Sequence, residues 1–277
     1  MRPFLCFLAL LLSPTVPRAA ESEAPTVQLH VLDCGYIRSA PAVTAYFGVT
    51  IAEVGGTADM PVPCYLIRHN TDWMLFDAGN GDWRAPIPAE TFAGMTYEVP
   101  RTLVGQLQAL GLKPDDIGRV AVSHTHLDHV GNLALFTKAN VLIQRKELEA
   151  AIADPPFFSP ASAILRLTRP GVTALEGDTD VFGDGTVTLL ATPGHTPGHQ
   201  SLMVRLRNTG TVILTGDLYH YRAELALHKL PLHEVSTGTA ESRVRIEALA
   251  AREKAQIWIE HDLGAFNAAR KAPAFYD

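Results

Sequence analysis

Apolar positions along this chain fall mostly into short runs rich in Val, Ile and Leu, closed by Gly, Pro, Asn or Asp, a pattern that favours strands. Such runs occupy 27–32, 64–69, 74–77, 119–123, 140–144, 186–191, 201–207, 211–215 and 256–260. Helical spacing appears between them at 101–110, 145–153 and 240–252, and Thr239 followed by Glu241 and Ser242 offers the last of these a start. Strands dominate both halves and helices interrupt them singly. The pattern therefore predicts an α/β protein of the αββα sandwich type, two sheets face to face with helices outside. No short repeat or linker divides the chain, so one domain over 25–277 is expected. The proline-rich stretch 154–171 is expected to be a loop or cap beside a site, with Phe157 and Phe158 as candidate lining for an apolar pocket.

The first residues change the picture. Arg2 precedes an apolar run at 4–12, then Ser13, Pro14, Pro17 and the small pair Ala19 and Ala20, which reads as a secretory signal peptide over 1–20, with a boundary reaching as far as 24. That run is shorter than the about 20 residues a bilayer span needs. The expected mature protein is periplasmic or secreted, with no stable membrane anchor. Removing residues 1–20 takes away Arg2 and Arg18 and no acid, so the net charge of −6 becomes −6 − 2 = −8. Such an acidic chain is a poor nucleic-acid ligand. Of three cysteines, Cys6 leaves with the signal. An oxidising compartment permits a disulfide between Cys34 and Cys64, and two buried thiols fit the sequence equally well.

Chemistry concentrates after the strand at 119–123, which runs directly into His124, His126, Asp128 and His129. Residues i and i+2 of an extended chain project to one side, so His124 and His126 can grip one ion while a turn aims Asp128 and His129 at a second. A lone histidine is more often a satisfied core or surface residue. Three imidazoles and a carboxylate together are costly to bury without a metal. His30, His69, His228 and His233 have no partner at metal-binding spacing and read as ordinary core or surface residues.

The segment His-Thr-His-Leu-Asp-His over 124–129 resembles the HxHxDH motif of the metallo-β-lactamase superfamily. The later elements of that family appear in order: Pro193-Gly194-His195, Gly216-Asp217 and Glu260-His261-Asp262. The resemblance implies that His124, His126 and His195 hold one ion and Asp128, His129 and His261 another, with Asp217 bridging both. It also implies that His199 and Asp77 orient ligands rather than bind metal. Imidazole and carboxylate without thiolate favour two Zn2+ ions, with other divalent metals able to bind.

Two such ions can share a hydroxide and polarise a carbonyl, so the implied activity is attack on a lactone or ester carbonyl, with Asp128 counted among the catalytic groups. The chain is similar to the N-acyl-homoserine lactonase branch across most of 25–277, including the spacings 217 − 195 = 22 and 261 − 217 = 44. Those lactonases carry a tyrosine three residues after the bridging aspartate, where this chain has His220. Tyr219, His220 and Tyr221 are thus the candidate proton donors. The expected partner is a small lactone or ester, and a homodimer is compatible with the sequence. Rival readings are another hydrolase of this fold, acting on thioesters, aryl esters or organophosphates, and a metal-binding protein without hydrolytic activity.

Overall fold

The computed structural model describes residues 25–85, 90–92, 94–156 and 159–277, with 90–92 described by backbone alone. The predicted signal segment and the Phe157–Phe158 pair lie outside the described residues. Strands β1 (Val27–Ser39), β2 (Met60–His69), β3 (Asp72–Phe76), β4 (Glu90–Phe92), β5 (Met95–Glu98), β6 (Arg119–Ala121), β7 (Asn140–Gln144) and β8 (Val172–Leu175) form one sheet in the order β4-β5-β1-β2-β3-β6-β7-β8. Strands β9 (Thr179–Asp180), β10 (Val187–Ala191), β11 (Gln200–Leu206), β12 (Gly210–Leu214) and β13 (Gln256–Trp258) form a second, in the order β13-β12-β11-β10-β9. Helices are α1 (Leu103–Ala109), α2 (Leu127–Val130), α3 (Arg145–Ala153), α4 (Ala161–Leu167), α5 (Arg222–Ala226), α6 (Thr239–Glu253) and α7 (Leu263–Ala268).

Alternation along the strands sorts the core into layers. Val187, Leu189, Leu202, Val204, Val212 and Leu214 turn inward against Leu29, Ile67, Met74 and Phe76 of the first sheet. Their neighbours Leu190, Met203 and Ile213 face outward and are covered by Ile246, Leu249 and Ala250 of α6. On the far side of the first sheet, Leu75, Val120, Val141 and Ile143 pack with Leu103 and Leu107 of α1, Ala151 of α3 and Ala163 and Leu167 of α4. The order is helix, sheet, sheet, helix. Strands β3, β6, β7 and β8 pair in parallel, which the helical crossovers allow and which explains why β6 and β7 carry nearly continuous apolar runs.

The structure corrects several expected boundaries. The stretch 154–171 is not all loop, because Ala161–Leu167 is helical. Pro160 stands at the N-cap, where its missing N–H costs nothing, and the buried guanidinium of Arg166 donates to the carbonyls of Ala139 (2.6 Å) and Phe136 (3.3 Å). The last long helix is capped by Gly238, at φ 97°, rather than opened by Thr239, which is already inside it. Cys34 and Cys64 are joined in a disulfide across β1 and β2. Among the described residues no helix is long and apolar enough to cross a membrane.

Candidate metal centre

Strand β6 ends two residues earlier than its apolar run, and the departure builds the site. Ser123 gives its N–H to the Asp77 carboxylate (2.7 Å) instead of to a neighbouring strand. Thr125 gives both its N–H (2.8 Å) and its hydroxyl (2.9 Å) to Glu147. These carboxylates hold the segment 122–126, which bends at Ser123 and again at His126, and His126 then caps α2, which carries Asp128 and His129. His195 comes from the turn after β10. There Gly194 adopts φ 154°, and a Cβ on it would lie 2.5 Å from the Thr239 Cα. Asp217 follows β12 through Gly216, whose φ is 54°, and His261 follows β13.

The seven residues predicted as ligands meet at one end of the sandwich. One group gathers His124, His126, His195 and Asp217; the other gathers Asp128, His129, Asp217 and His261, and within each the potential ligand atoms lie within 4.8 Å of one another. The two oxygens of Asp217 divide the work. Oδ2 lies 3.7 Å from His124 Nε2 and 3.5 Å from His195 Nε2. Oδ1 lies 3.2 Å from His129 Nε2 and 3.1 Å from His261 Nε2. Asp128 Oδ2 completes the second group, 3.3 Å from His129 and 3.5 Å from His261.

Hydrogen bonds behind the rings decide which nitrogen faces inward. His129 Nδ1 meets Asp77 (3.0 Å), His195 Nδ1 meets Glu234 (2.9 Å) and His261 Nδ1 meets the Pro61 carbonyl (2.8 Å). Each partner favours a proton on Nδ1 and so leaves a lone pair on Nε2. Ser123 Oγ lies 3.0 Å from His124 Nδ1 and 3.2 Å from His129 Nδ1. His126 is the exception, presenting Nδ1 3.1 Å from His195 Nε2. His199 has both nitrogens committed, Nδ1 to the Thr192 carbonyl (3.1 Å) and Nε2 to the Asp217 N–H (3.0 Å). It therefore fixes Asp217 instead of joining the groups.

The fit to cations is tested by what the cluster leaves unsatisfied. The buried Nε2 atoms of His124 and His129 and Oδ1 of Asp217 have no hydrogen-bond partner, a costly state for buried polar atoms. Those atoms face into the two groups. Burial, then the neighbouring His195, pushes His126 down to about 3. Burial alone would raise the Asp128 carboxyl, but His129 draws it down to about 2. At His126 and Asp128 these are the states, neutral imidazole and ionised carboxylate, that a divalent ion requires of its ligands. At His129 burial acts to lower the imidazole but Asp217, Asp128 and Asp77 raise it well above its ordinary value, so that carboxylate-rich group draws positive charge to itself.

Of the three candidate proton donors, the structure brings His220 to the cluster, with Nε2 3.4 Å from Asp217 Oδ2 and Nδ1 3.5 Å from Glu224. Tyr219 and Tyr221 correct the expectation. The Tyr219 hydroxyl donates to Glu247 (2.6 Å) and that of Tyr221 to the Ala58 carbonyl (2.8 Å), so both phenolic protons are spent elsewhere. His69 pairs with Asp184 (2.7 Å) and His233 stacks on Tyr46, in keeping with their reading as non-ligands. Sequence reasoning missed Ser123, Glu147, Glu234 and Glu260. Glu260 is buried 3.8 Å from His129 Nδ1, and burial followed by Asp77 raises it well above the usual carboxylate range.

A cavity of about 550 Å³ opens onto the cluster. His126, Asp128, His195, Asp217, His220 and His261 form its polar end, and Ile37, Val43, Phe47, Met60 and Met95 form its apolar side, with Tyr46 and Tyr97 between. No motif or spacing marks this wall, because its residues come from the first 100 positions and are joined to the cluster only by folding.

Comparison with known proteins agrees with the geometry. Residues 57–253 match the metallo-beta-lactamase superfamily model. An N-acyl homoserine lactonase, AttM, of Azorhizobium caulinodans is 36% identical over 237 residues, covering 80% of this chain and 90% of that protein. The N-acyl homoserine lactonase AiiA of Bacillus thuringiensis subsp. kurstaki is 30% identical over 234 residues, covering 80% and 89%. A solved N-acyl homoserine lactone hydrolase with the product N-hexanoyl-L-homoserine at its catalytic metal center superposes with a TM-score of 0.76 at 27% identity, covering 90% of this chain and 99% of that one.

Proposed function

Because the chain belongs to the metallo-β-lactamase superfamily, we propose that it is a binuclear zinc hydrolase that opens the ring of N-acyl-homoserine lactones. The observation that carries this reading is the division of the Asp217 carboxylate between two ligand groups at the polar end of an apolar cavity. His124, His126 and His195 would hold one ion, Asp128, His129 and His261 the other, and Asp217 both. Such ions supply Lewis acidity for a carbonyl and lower the proton affinity of water.

The chain's own residues do the rest. Asp77, Glu234 and the Pro61 carbonyl fix three imidazoles in the tautomer that presents Nε2. His199 fixes the backbone of Asp217, and His220 stands against its Oδ2, packed on Phe47 with ring centroids 4.2 Å apart. Ile37, Val43, Phe47 and Met60 offer an acyl chain an apolar surface while excluding bulk water from the reacting carbonyl. Export is part of the proposal, supported by the leader-like composition of residues 1–20 and by the Cys34–Cys64 disulfide, which suits an oxidising compartment.

The test is hydrolysis of N-acyl-homoserine lactones of graded chain length by residues 21–277, with zinc removed by chelation and then restored. Metal-dependent ring opening is expected. Two ions bound with no lactone turnover would sink the substrate assignment and redirect it to thioesters and phosphotriesters.

A further inference from the structure

Tyr219 and Tyr221 are committed away from the cluster, yet a third phenol lines the cavity. Tyr97 sits on β5, paired with Ile37 of β1, and both line the cavity that holds Asp128, Asp217 and His261 at its polar end. Among the described residues the Tyr97 hydroxyl makes no hydrogen bond, although the residue is only 8% exposed. Its position is fixed from below. The Asn80 amide donates to the carbonyls of Glu98 (3.0 Å) and Tyr36 (3.1 Å), tying β5 and β1 to the same turn from which Asp77 holds His129. A site on paired strands keeps its geometry better than one on a free loop.

We propose that Tyr97 is a catalytic residue of the ring opening, its hydroxyl donating a hydrogen bond to the ring oxygen of the lactone as that oxygen departs. The inference rests on the lactone reading above. In the step, water adds its oxygen to the acyl carbon, and the bond from that carbon to the ring oxygen breaks with its electron pair on oxygen. One proton of the water ends on that oxygen as the product hydroxyl, and the other is released as the new acid ionises. Tyr97 stabilises the negative charge on the departing oxygen and keeps its own proton. Neither its strand position nor its distance in sequence from Asp217 marks this residue.

The test compares wild type with Tyr97→Phe on two substrates of equal acyl chain, an N-acyl-homoserine lactone and the corresponding thiolactone. A thiolate departs without hydrogen-bond help, whereas an alkoxide does not. On the lactone, kcat is expected to fall on the order of 100-fold with KM nearly unchanged. On the thiolactone, turnover should stay within about threefold of wild type. Titration calorimetry with ring-opened N-acyl-homoserine, which carries the hydroxyl Tyr97 would contact, should show binding weakened about three- to tenfold. Zinc content and circular dichroism report whether the variant is intact. Unchanged lactone turnover, or equal losses on both substrates in an intact variant, would overturn the role of Tyr97 alone. Wild type inactive on the lactone would overturn the lactone reading and this role with it.

Discussion

The two halves of the cluster are built on different principles. Around His124, His126 and His195 there are three imidazoles and a single carboxylate oxygen, and His126 and His195 are only partly enclosed. Around Asp128, His129 and His261 there are two imidazoles and two carboxylates, all buried, with Asp77 and Glu260 standing behind His129. An ion in the second half would be the more fully neutralised and the more tightly caged, and an ion in the first the more electrophilic and the more readily lost. Both halves share Asp217, which makes them one centre.

Asp217→Ala should have the largest effect, since it removes the carboxylate that both halves share. Lactone turnover is expected to fall roughly 1,000-fold or more, and elemental analysis should find fewer than two ions per chain; retention of both would break the claim that one carboxylate joins them. A smaller and half-specific effect is expected from the residues behind the rings. Asp77→Asn should weaken the second half and Glu234→Gln the first, each by about 10- to 100-fold in ion affinity, read by competition with a chromogenic chelator. Equal weakening of both binding steps by either variant would erase the distinction.

The smallest effect on activity is expected at the disulfide. Cys34 packs directly under the turn that carries Asp77, where a Cβ on Gly79 would lie 2.4 Å from the Cys34 Cβ. Replacing Cys34 and Cys64 by Ser opens a loop with a sequence separation of 30, a loss of about 3 to 4 kcal/mol by chain-entropy reasoning. Calorimetry should show a lower Tm, with any loss of ion affinity confined to the second half.

Contiguity explains what could be read beforehand. His124, His126, Asp128 and His129 sit within six positions behind an apolar strand, so their convergence needs only local geometry. His195, Asp217 and His261 follow strands in the same way and were legible through the family resemblance. Glu234 and Glu147 reach the cluster across 39 and 22 residues by tertiary packing alone, and no spacing announces them. Tyr221 shows the opposite error. Nearness to Asp217 in sequence says nothing of direction, and its hydroxyl crosses to Ala58 instead. Helix α4 was hidden by the prolines around it, because proline density signals loop while Pro160 merely starts a helix.

The position of His261 bears on how the molecule comes together in time. It follows β13, which pairs in parallel with β12 only after α6 has crossed over between them. A growing chain displays His124 to His129 long before the strand that aligns His261 exists. Uptake of the second ion should therefore keep pace with the docking of β13 rather than with the formation of the motif that first draws the eye.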